Sequence, residues 1–115
     1  MDITGKWTYR EDFDYGKSVG EVDFIQAENE VIGLFTFTES VDGFYTVEVS
    51  EKVKGTIKDG TVLLESFEVE AMENNTKADY YPNTFDVQLI AASKMVGSTF
   101  DNDSVCGVFV LERKS

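Results

Sequence analysis

The sequence predicts a single all-β domain over residues 1–115, an antiparallel up-and-down meander barrel of about eight strands. Three observations indicate this fold. Apolar and polar side chains alternate along most of the chain, which is typical of strands with one buried face. Turn-forming pairs recur between these stretches at hairpin spacing, at Glu28–Asn29, Asp42–Gly43 and Asp59–Gly60. The longest alternating stretch is too long to stay straight in a small domain, and strands bend in this way in barrels.

The first three alternating stretches each place large apolar side chains on one face. The residues that share a face are Trp7 and Tyr9 in the first, Val22 and Phe24 in the second, and Val31, Phe35 and Phe37 in the third. In an antiparallel strand with one solvated face, such residues point to the core. We therefore expect three strands that follow one another around the barrel.

The clearest alternation runs from Tyr45 to Ile57, where the face that begins with Tyr45 is apolar except at Glu51 and Gly55. A straight strand of this length would span roughly 44 Å at 3.4 Å per residue, so we expect a bend near Glu51 or Gly55. A buried carboxylate is costly unless it is paired or protonated. Glu51 therefore either lines a ligand cavity or is turned to solvent by a bulge or a strand end.

Two later stretches also alternate. Between Thr61 and Ala71 the apolar face changes phase, from Val62 and Leu64 to Phe67, Val69 and Ala71. A change of phase by one residue predicts a bulge, here near Glu65–Ser66. Between Val105 and Arg113 the predicted inward residues are Val105, Gly107, Phe109 and Leu111.

Residues 84–96 are compatible with two structures. Their helical stripe consists of Phe85, Leu89, Ala92 and Val96, with Thr84 and Gly97 as caps. Strand alternation is present as well, and we favour two strands that turn near residues 92–94. The longest predicted loop, Met72–Pro82, carries Tyr80 and Tyr81, and loops of this length can act as lids over binding sites.

The charge balance excludes some classes of partner. The chain has 22 acidic and 10 basic residues, a net charge of −12 at pH 7. Such a surface repels phosphate backbones and anionic lipids, so we expect neither nucleic acid nor a membrane as a partner.

No signal peptide is apparent, and a lone Cys106 cannot form an internal disulfide, so we expect a cytoplasmic protein. Glu11, Asp12 and Asp14 lie near the first turn and are expected in a solvated loop at a barrel mouth.

Several catalytic chemistries lack their residues. Without histidine there is no His-based triad, no His metal ligand and no usual general base at neutral pH. Cys106 lies in an apolar run, where cysteine behaves as a small hydrophobe. Gly16–Ser18 lacks the first glycine of a P-loop, and Asp101–Asp103 with Glu112 lacks the glycine spacing of a calcium loop. We therefore expect a non-enzymatic protein without metal or cofactor.

The segment Gly5–Trp7 resembles the Gly-x-Trp motif that opens lipocalin-like, or calycin, barrels. In that family the tryptophan closes one end of the barrel, and an arginine near the end of the last strand packs across it. Arg113 is the matching position here. Ile3–Thr8 and Val31–Thr36 also look like the first strands of avidin-type barrels. The resemblance implies a lipocalin-like barrel, but not the avidin-type biotin site, which resembles a box of several tryptophans, because this chain has one tryptophan.

The predicted inward face is rich in aromatic rings, which suits a small apolar or planar ligand. The expected ligand-binding residues are Trp7, Tyr9, Phe24, Phe35, Tyr45, Val47 and Glu51. The same residues could instead simply fill the core. The leading hypothesis is therefore a non-enzymatic barrel that holds a small hydrophobic ligand in its interior.

An alternative hypothesis is an acidic protein-interaction module, such as an immunity protein or an inhibitor of a basic partner. It predicts a contiguous acidic face with a few exposed aromatic side chains, for instance Tyr80 and Tyr81. A homodimer is a further expectation, because some apolar residues lie on the face opposite the core residues of their strands. These residues are Ile32, Leu34, Val108 and Val110.

Overall fold

The computed structural model describes residues 2–13, 16–80, 82–100 and 107–114, with the backbone alone at residues 89 and 90. Within these ranges the chain forms nine strands and no helix. The strands are β1 (Gly5–Phe13), β2 (Gly16–Ala27), β3 (Glu30–Val41), β4 (Tyr45–Lys58), β5 (Thr61–Glu73), β6 (Thr76–Lys77), β7 (Thr84–Ala91), β8 (Lys94–Phe100) and β9 (Gly107–Arg113). None of the described residues belongs to a helix that could cross a membrane.

Eight of these strands close into a barrel by antiparallel pairing. The strands β1 to β5 pair in chain order, β5 pairs directly with β7, β7 with β8 and β8 with β9, and β9 returns to pair with β1. The two-residue strand β6 pairs with the end of β5 and lies outside the closed ring. The predicted up-and-down meander barrel is therefore confirmed.

The two ends of the barrel differ in how their strands are joined. The end that we call the closed end has two-residue turns at 28–29, 59–60 and 92–93. The other end, the mouth, has the connection at 42–44 and the longer segment 74–83. The preference for two strands over a helix in residues 84–96 is confirmed, because β7 and β8 turn at 92–93.

Trp7 and Arg113 seal the closed end. The Trp7 indole is fully buried, and its Nε1–H donates to the carbonyl of Ile3 at 2.9 Å. The Arg113 guanidinium lies 4.4 Å from the centre of the Trp7 ring. It donates to the carbonyls of Ala92, Thr4 and Asp2 at 2.9, 2.9 and 2.8 Å. One side chain thus ties the N-terminal segment and the β7–β8 turn across the barrel end, with the arginine in the position that the lipocalin-like resemblance implies.

Aromatic rings fill the interior above this seal. Phe35 and Phe85 stack with their ring centres 4.2 Å apart, and the edge of Tyr9 meets Phe35 at 5.2 Å. Phe24 and Phe109 complete the cluster, and all five rings are at most 1% exposed. Closely packed rings leave no room for a ligand in this part of the barrel.

The bulge predicted near Glu65–Ser66 is confirmed, with one correction. The pairing of β4 with β5 shifts register between Lys52 and Val53, and the extra residue of β5 is Phe67. Phe67 was expected to face the core, and this expectation is wrong, since its side chain is 52% exposed. The bulge directs it outward, where the Lys54 Nζ lies 5.7 Å from the ring centre.

The predicted loop Met72–Pro82 is shorter than expected. Strand β5 continues to Glu73 and β6 occupies Thr76–Lys77, because a tight turn with positive φ at Asn74 and Asn75 joins them. Between β6 and β7, the described residues 78–80 and 82–83 belong to no strand. The predicted turn at Asp101–Ser104, together with Tyr81, Val105 and Cys106, lies outside the described residues.

The apolar residues expected at a dimer interface lie on the outer wall. Ile32 is 57% exposed on β3, and Val108 is 65% exposed on β9. Strands β2 and β1 lie between β3 and β9, so the pairs Ile32–Leu34 and Val108–Val110 are on separate parts of the wall. Self-association stays a prediction. Because the two apolar pairs do not form one patch, one pair alone would have to form the dimer interface.

We predict that Arg113→Lys lowers the free energy of unfolding by about 2 kcal/mol, because an ammonium cannot reach three divergent carbonyls and stack on the indole as well. Urea denaturation followed by Trp7 fluorescence measures this loss. Arg10→Lys is the matched control, since Arg10 is exposed on the outer face of β1. Equal stabilities of the two variants would contradict the assigned role of Arg113.

Candidate functional site

A cavity of about 670 Å³ opens at the mouth of the barrel. Strands β1, β3, β4, β5, β6 and β8 contribute to its wall, as do four described residues between β6 and β7. The lining residues are Glu11, Phe13, Glu39, Tyr45, Val47, Glu73, Thr76, Lys77, Ala78, Asp79, Tyr80, Asn83 and Thr99. The volume lies within the range of small-molecule sites, which combine apolar walls with a few convergent polar groups.

Glu11 forms part of the inner wall of this cavity. It shares the inward phase of Trp7 and Tyr9 in β1, and it is 7% exposed. Its carboxylate accepts hydrogen bonds from the hydroxyl of Tyr9 and, at 2.5 Å, from that of Thr99. The expectation that Glu11 is solvated is therefore wrong, because the alternation of β1 continues to the mouth.

The backbone of β9 makes room for this carboxylate. A Cβ atom at Gly107 would lie 1.9 Å from Oε2 of Glu11, so any other residue there would displace it. Burial raises the pKa of Glu11, hydrogen bonds from Thr99 and Tyr9 oppose the rise, and the charge of Glu39 adds to it. Burial, together with the neighbouring Glu11, also raises the pKa of Tyr9 well above its usual range, so its hydroxyl stays a donor.

Glu39 is the second carboxylate of the cavity wall. It accepts hydrogen bonds from the hydroxyls of Tyr80 at 2.7 Å, Tyr45 at 2.8 Å and Ser18 at 3.5 Å. Burial and the hydrogen bond to Glu39 raise the pKa of Tyr45 to about 12. Burial, the charge of Glu39 and the hydrogen bond to it raise the pKa of Tyr80 far above its usual range. Both tyrosines therefore keep their protons and direct them to Glu39.

Glu51 is fully buried on the inner face of β4. The backbone N–H and the side-chain amide of Asn83 donate to its two oxygens at 3.1 and 3.2 Å. Burial raises the pKa of Glu51 from 4.5 to about 7, and the bonds from Asn83 oppose that rise. The alternative in which Glu51 turns to solvent is wrong, because β4 stays in phase at this position and Glu51 pairs with Phe35 and Val69.

The structure separates the seven predicted ligand-binding residues into two groups. Tyr45 and Val47 line the cavity, and Glu51 is bonded to Asn83, which also lines it. The other four, Trp7, Tyr9, Phe24 and Phe35, are at most 1% exposed and are not part of the cavity wall. They fill the barrel below the mouth, as predicted by the alternative in which these residues form the core. Tyr9 reaches the cavity only through its hydrogen bond to Glu11.

Sequence reasoning missed several residues of this site. Glu11 and Glu39 could have been found by extending the alternation of β1 and β3 beyond their apolar residues, because both continue the inward phase. Asn83 and Ala78 carry no such signal, since they lie in an irregular segment. Tyr80 was expected on an exposed face, but its hydroxyl bonds to Glu39 and its ring packs 6.2 Å from Phe37. Within the described ranges no cluster of three His, Cys, Asp or Glu side chains could hold a metal ion.

Comparison with known proteins supports the architecture. No family model matches the sequence, and no curated protein matches it significantly. The chain is similar to a redesigned beta barrel, mFAP1, bound to DFHBI, with a TM-score of 0.70 and 15% identity over 96% of this chain and 94% of that chain. A second redesigned barrel bound to DFHBI, mFAP0, has the same TM-score and identity, with 96% and 98% covered.

A de novo designed fluorescence-activating beta barrel is also similar, with a TM-score of 0.67 and 15% identity over 96% of this chain and 93% of that chain. At this identity the likeness establishes a shared barrel fold and nothing about shared site residues. The comparison therefore supports the up-and-down barrel fold, and the relation to lipocalin-like, or calycin, barrels stays a prediction.

We predict that Glu51→Gln removes a pH-dependent loss of stability. Between pH 4.5 and about 7 the folded protein binds more protons at Glu51 than the unfolded chain does, so its stability falls as the pH rises. The free energy of unfolding of Glu51→Gln, minus that of the parent, should therefore increase by about 3 kcal/mol across this window and stay constant above pH 8. Urea denaturation at pH 4.5, 6 and 8 measures it.

Glu48→Gln is the matched control for this measurement, since Glu48 is exposed on the same strand. Its stability should follow that of the parent at every pH. Parallel pH profiles of the parent and Glu51→Gln would show that the Glu51 carboxyl titrates in the same way in the folded and unfolded states.

Proposed function

We propose that this protein is a non-enzymatic barrel that holds a small planar ligand in the cavity at its mouth. The observation that carries the proposal is a cavity of about 670 Å³ with aromatic and acidic walls, at the one end of the barrel that Trp7 and Arg113 do not seal. A drug-sized molecule needs this order of volume.

The cavity walls support a planar ligand. Phe13, Tyr45 and Tyr80 present aromatic rings to the cavity, and Val47 and Ala78 present aliphatic surface. Tyr45 and Tyr80 are both held by hydrogen bonds to Glu39, so their rings are already fixed before a ligand enters. Fixed rings lose little conformational entropy on binding, which favours affinity.

The designed barrels support the same proposal by analogy. Two of them are redesigned barrels bound to DFHBI, and they share this fold over nearly the whole chain. A barrel of this fold can therefore hold a ligand. Because the identity is 15%, the ligand and its contacts do not transfer to this chain.

The absence of histidine from the sequence supports a binding role over catalysis. In addition, Glu11 and Glu39 each accept hydrogen bonds from at least two hydroxyls, an arrangement that holds a carboxylate in place.

The alternative hypothesis, an acidic protein-interaction module, stays a prediction. Phe44, which is 83% exposed beside the mouth, is an aromatic side chain that such a partner could contact.

We predict that naphthalene-2-carboxamide, a neutral planar probe, binds in the mouth. In ¹H–¹⁵N spectra it should shift the amide signals of Tyr45, Val47 and Thr99 and leave that of Met95 near the closed end unchanged. Ala78→Trp should weaken binding at least about tenfold, or about 1.4 kcal/mol, because the indole occupies the cavity.

Ala27→Trp is the matched control, since Ala27 is exposed at the closed end of β2. It adds the same indole far from the mouth and should leave the affinity unchanged. Shifts centred on the outer wall, or equal affinities of the two variants, would refute the mouth as the binding site. The absence of binding by any small planar probe, neutral or charged, would refute the proposed function.

A further inference from the structure

We propose that the mouth cavity selects a planar organic cation of the amidine or guanidine type over neutral and anionic molecules of the same shape. This inference rests on the proposed function, because it assigns a chemical class to a ligand of that same cavity. It is carried by the hydrogen-bond donors and acceptors that the cavity offers and by the charge that its walls leave uncompensated.

Among the described residues, the hydroxyl donors of the inner wall are already used. Tyr45 and Tyr80 donate to Glu39, and Thr99 donates to Glu11. The side-chain amide of Asn83 donates to Glu51 and to the Tyr80 oxygen, so both of its protons are used as well. Of the lining residues that the structure describes, the remaining side chains that can donate are those of Thr76 and Lys77, both exposed.

The acceptors, in contrast, are not used up. A carboxylate has about four lone-pair positions. Within the described residues, the Glu11 side chain accepts two side-chain hydrogen bonds, and the Glu39 side chain accepts three. Counted over these residues, a ligand that carries N–H groups finds free acceptors in the inner cavity, whereas a carboxylate or phosphate finds no free side-chain donor there.

The charge of the wall points to the same class. Glu11, Glu39, Glu73 and Asp79 line the cavity, against the single lysine Lys77. The ion pairs among the described residues are Lys6–Asp23, Lys52–Glu68 and Lys114–Glu21, and none of them involves a cavity residue. Residues 14–15, 81 and 101–106 contain no lysine or arginine in sequence. Hydroxyl bonds orient these carboxylates but do not neutralise them.

An amidinium fits these features together. Its planar N–H pair can donate to one carboxylate in a bidentate, charge-assisted geometry. The attached ring can lie against Tyr45 and Tyr80, where an aromatic face also attracts a cation. A neutral amide of the same ring keeps the apolar contact but lacks the charge.

The test compares three isosteric probes, naphthalene-2-carboxamidine, naphthalene-2-carboxamide and naphthalene-2-carboxylate, by titration at pH 7.5 and low salt. We expect the amidine to bind at least about tenfold more tightly than the amide, and the carboxylate to bind most weakly. Added salt should weaken amidine binding and leave amide binding almost unchanged.

Two mouth variants locate the selectivity. Glu39→Gln and Glu11→Gln should each lower the affinity for the amidine about fivefold more than they lower the affinity for the amide, which reports what each substitution does to the cavity itself. Glu48→Gln removes the same charge from the outer face of β4 and should leave the preference for the amidine unchanged.

The outcomes distinguish this inference from the proposed function. Equal binding of amidine and amide, or tightest binding of the carboxylate, would overturn cation selectivity and leave the ligand-holding function standing. An amidine preference that persists in both mouth variants, or that Glu48→Gln also lowers, would overturn the inference, since it would then reflect the overall net charge. No binding of any of the three probes would overturn both proposals.

Discussion

Closure of eight strands around one interior is the constraint on which the rest of this structure depends. Every second residue of each barrel strand must point inward, and the interior of an eight-stranded barrel is just wide enough for side chains to fill. Five stacked and edge-packed rings fill it from the closed end to the level of Tyr9. The same alternation continues beyond these rings and points carboxylates inward, so the chemistry of the mouth follows from the phase of the strands.

The inward carboxylates carry a cost that the neighbouring side chains offset. Burial raises the pKa of both Glu11 and Glu51, which means that the folded state disfavours their charged forms. Hydroxyl and amide donors stabilise them, with Tyr9 and Thr99 on Glu11 and Asn83 on Glu51. No buried side-chain nitrogen or oxygen among the described residues lacks a hydrogen-bond partner. A polar network satisfied in this way lets the fold keep acidic groups inside without a cation of its own.

The two ends of the barrel therefore have different roles. At the closed end, Arg113 uses its planar donors on three carbonyls and its face on an indole, so that a single cation ties three chain segments together. At the mouth, carboxylates are held by hydroxyls, and the irregular segment from Ala78 to Asn83 supplies Tyr80 and Asn83. The sealed end serves stability, and the mouth is where a ligand could enter without disrupting the core.

The sequence by itself determined the barrel, its strands, most of its turns and its inward faces, because alternation with a period of two is a local property that each strand records. It also isolated Glu51 on the inward face, whereas Glu11 was expected in a solvated loop and Glu39 was not singled out, although the same alternation continues to both residues. Only the tertiary structure decided that Trp7, Tyr9, Phe24 and Phe35 fill the core while Tyr45 and Val47 line a cavity, since strand phase gives the direction of a side chain but not its height along the barrel. The contributions of Asn83 and Tyr80 also depended on the tertiary structure, because an irregular segment has no periodic pattern, and its side chains reach Glu51 and Glu39 only after the barrel has closed.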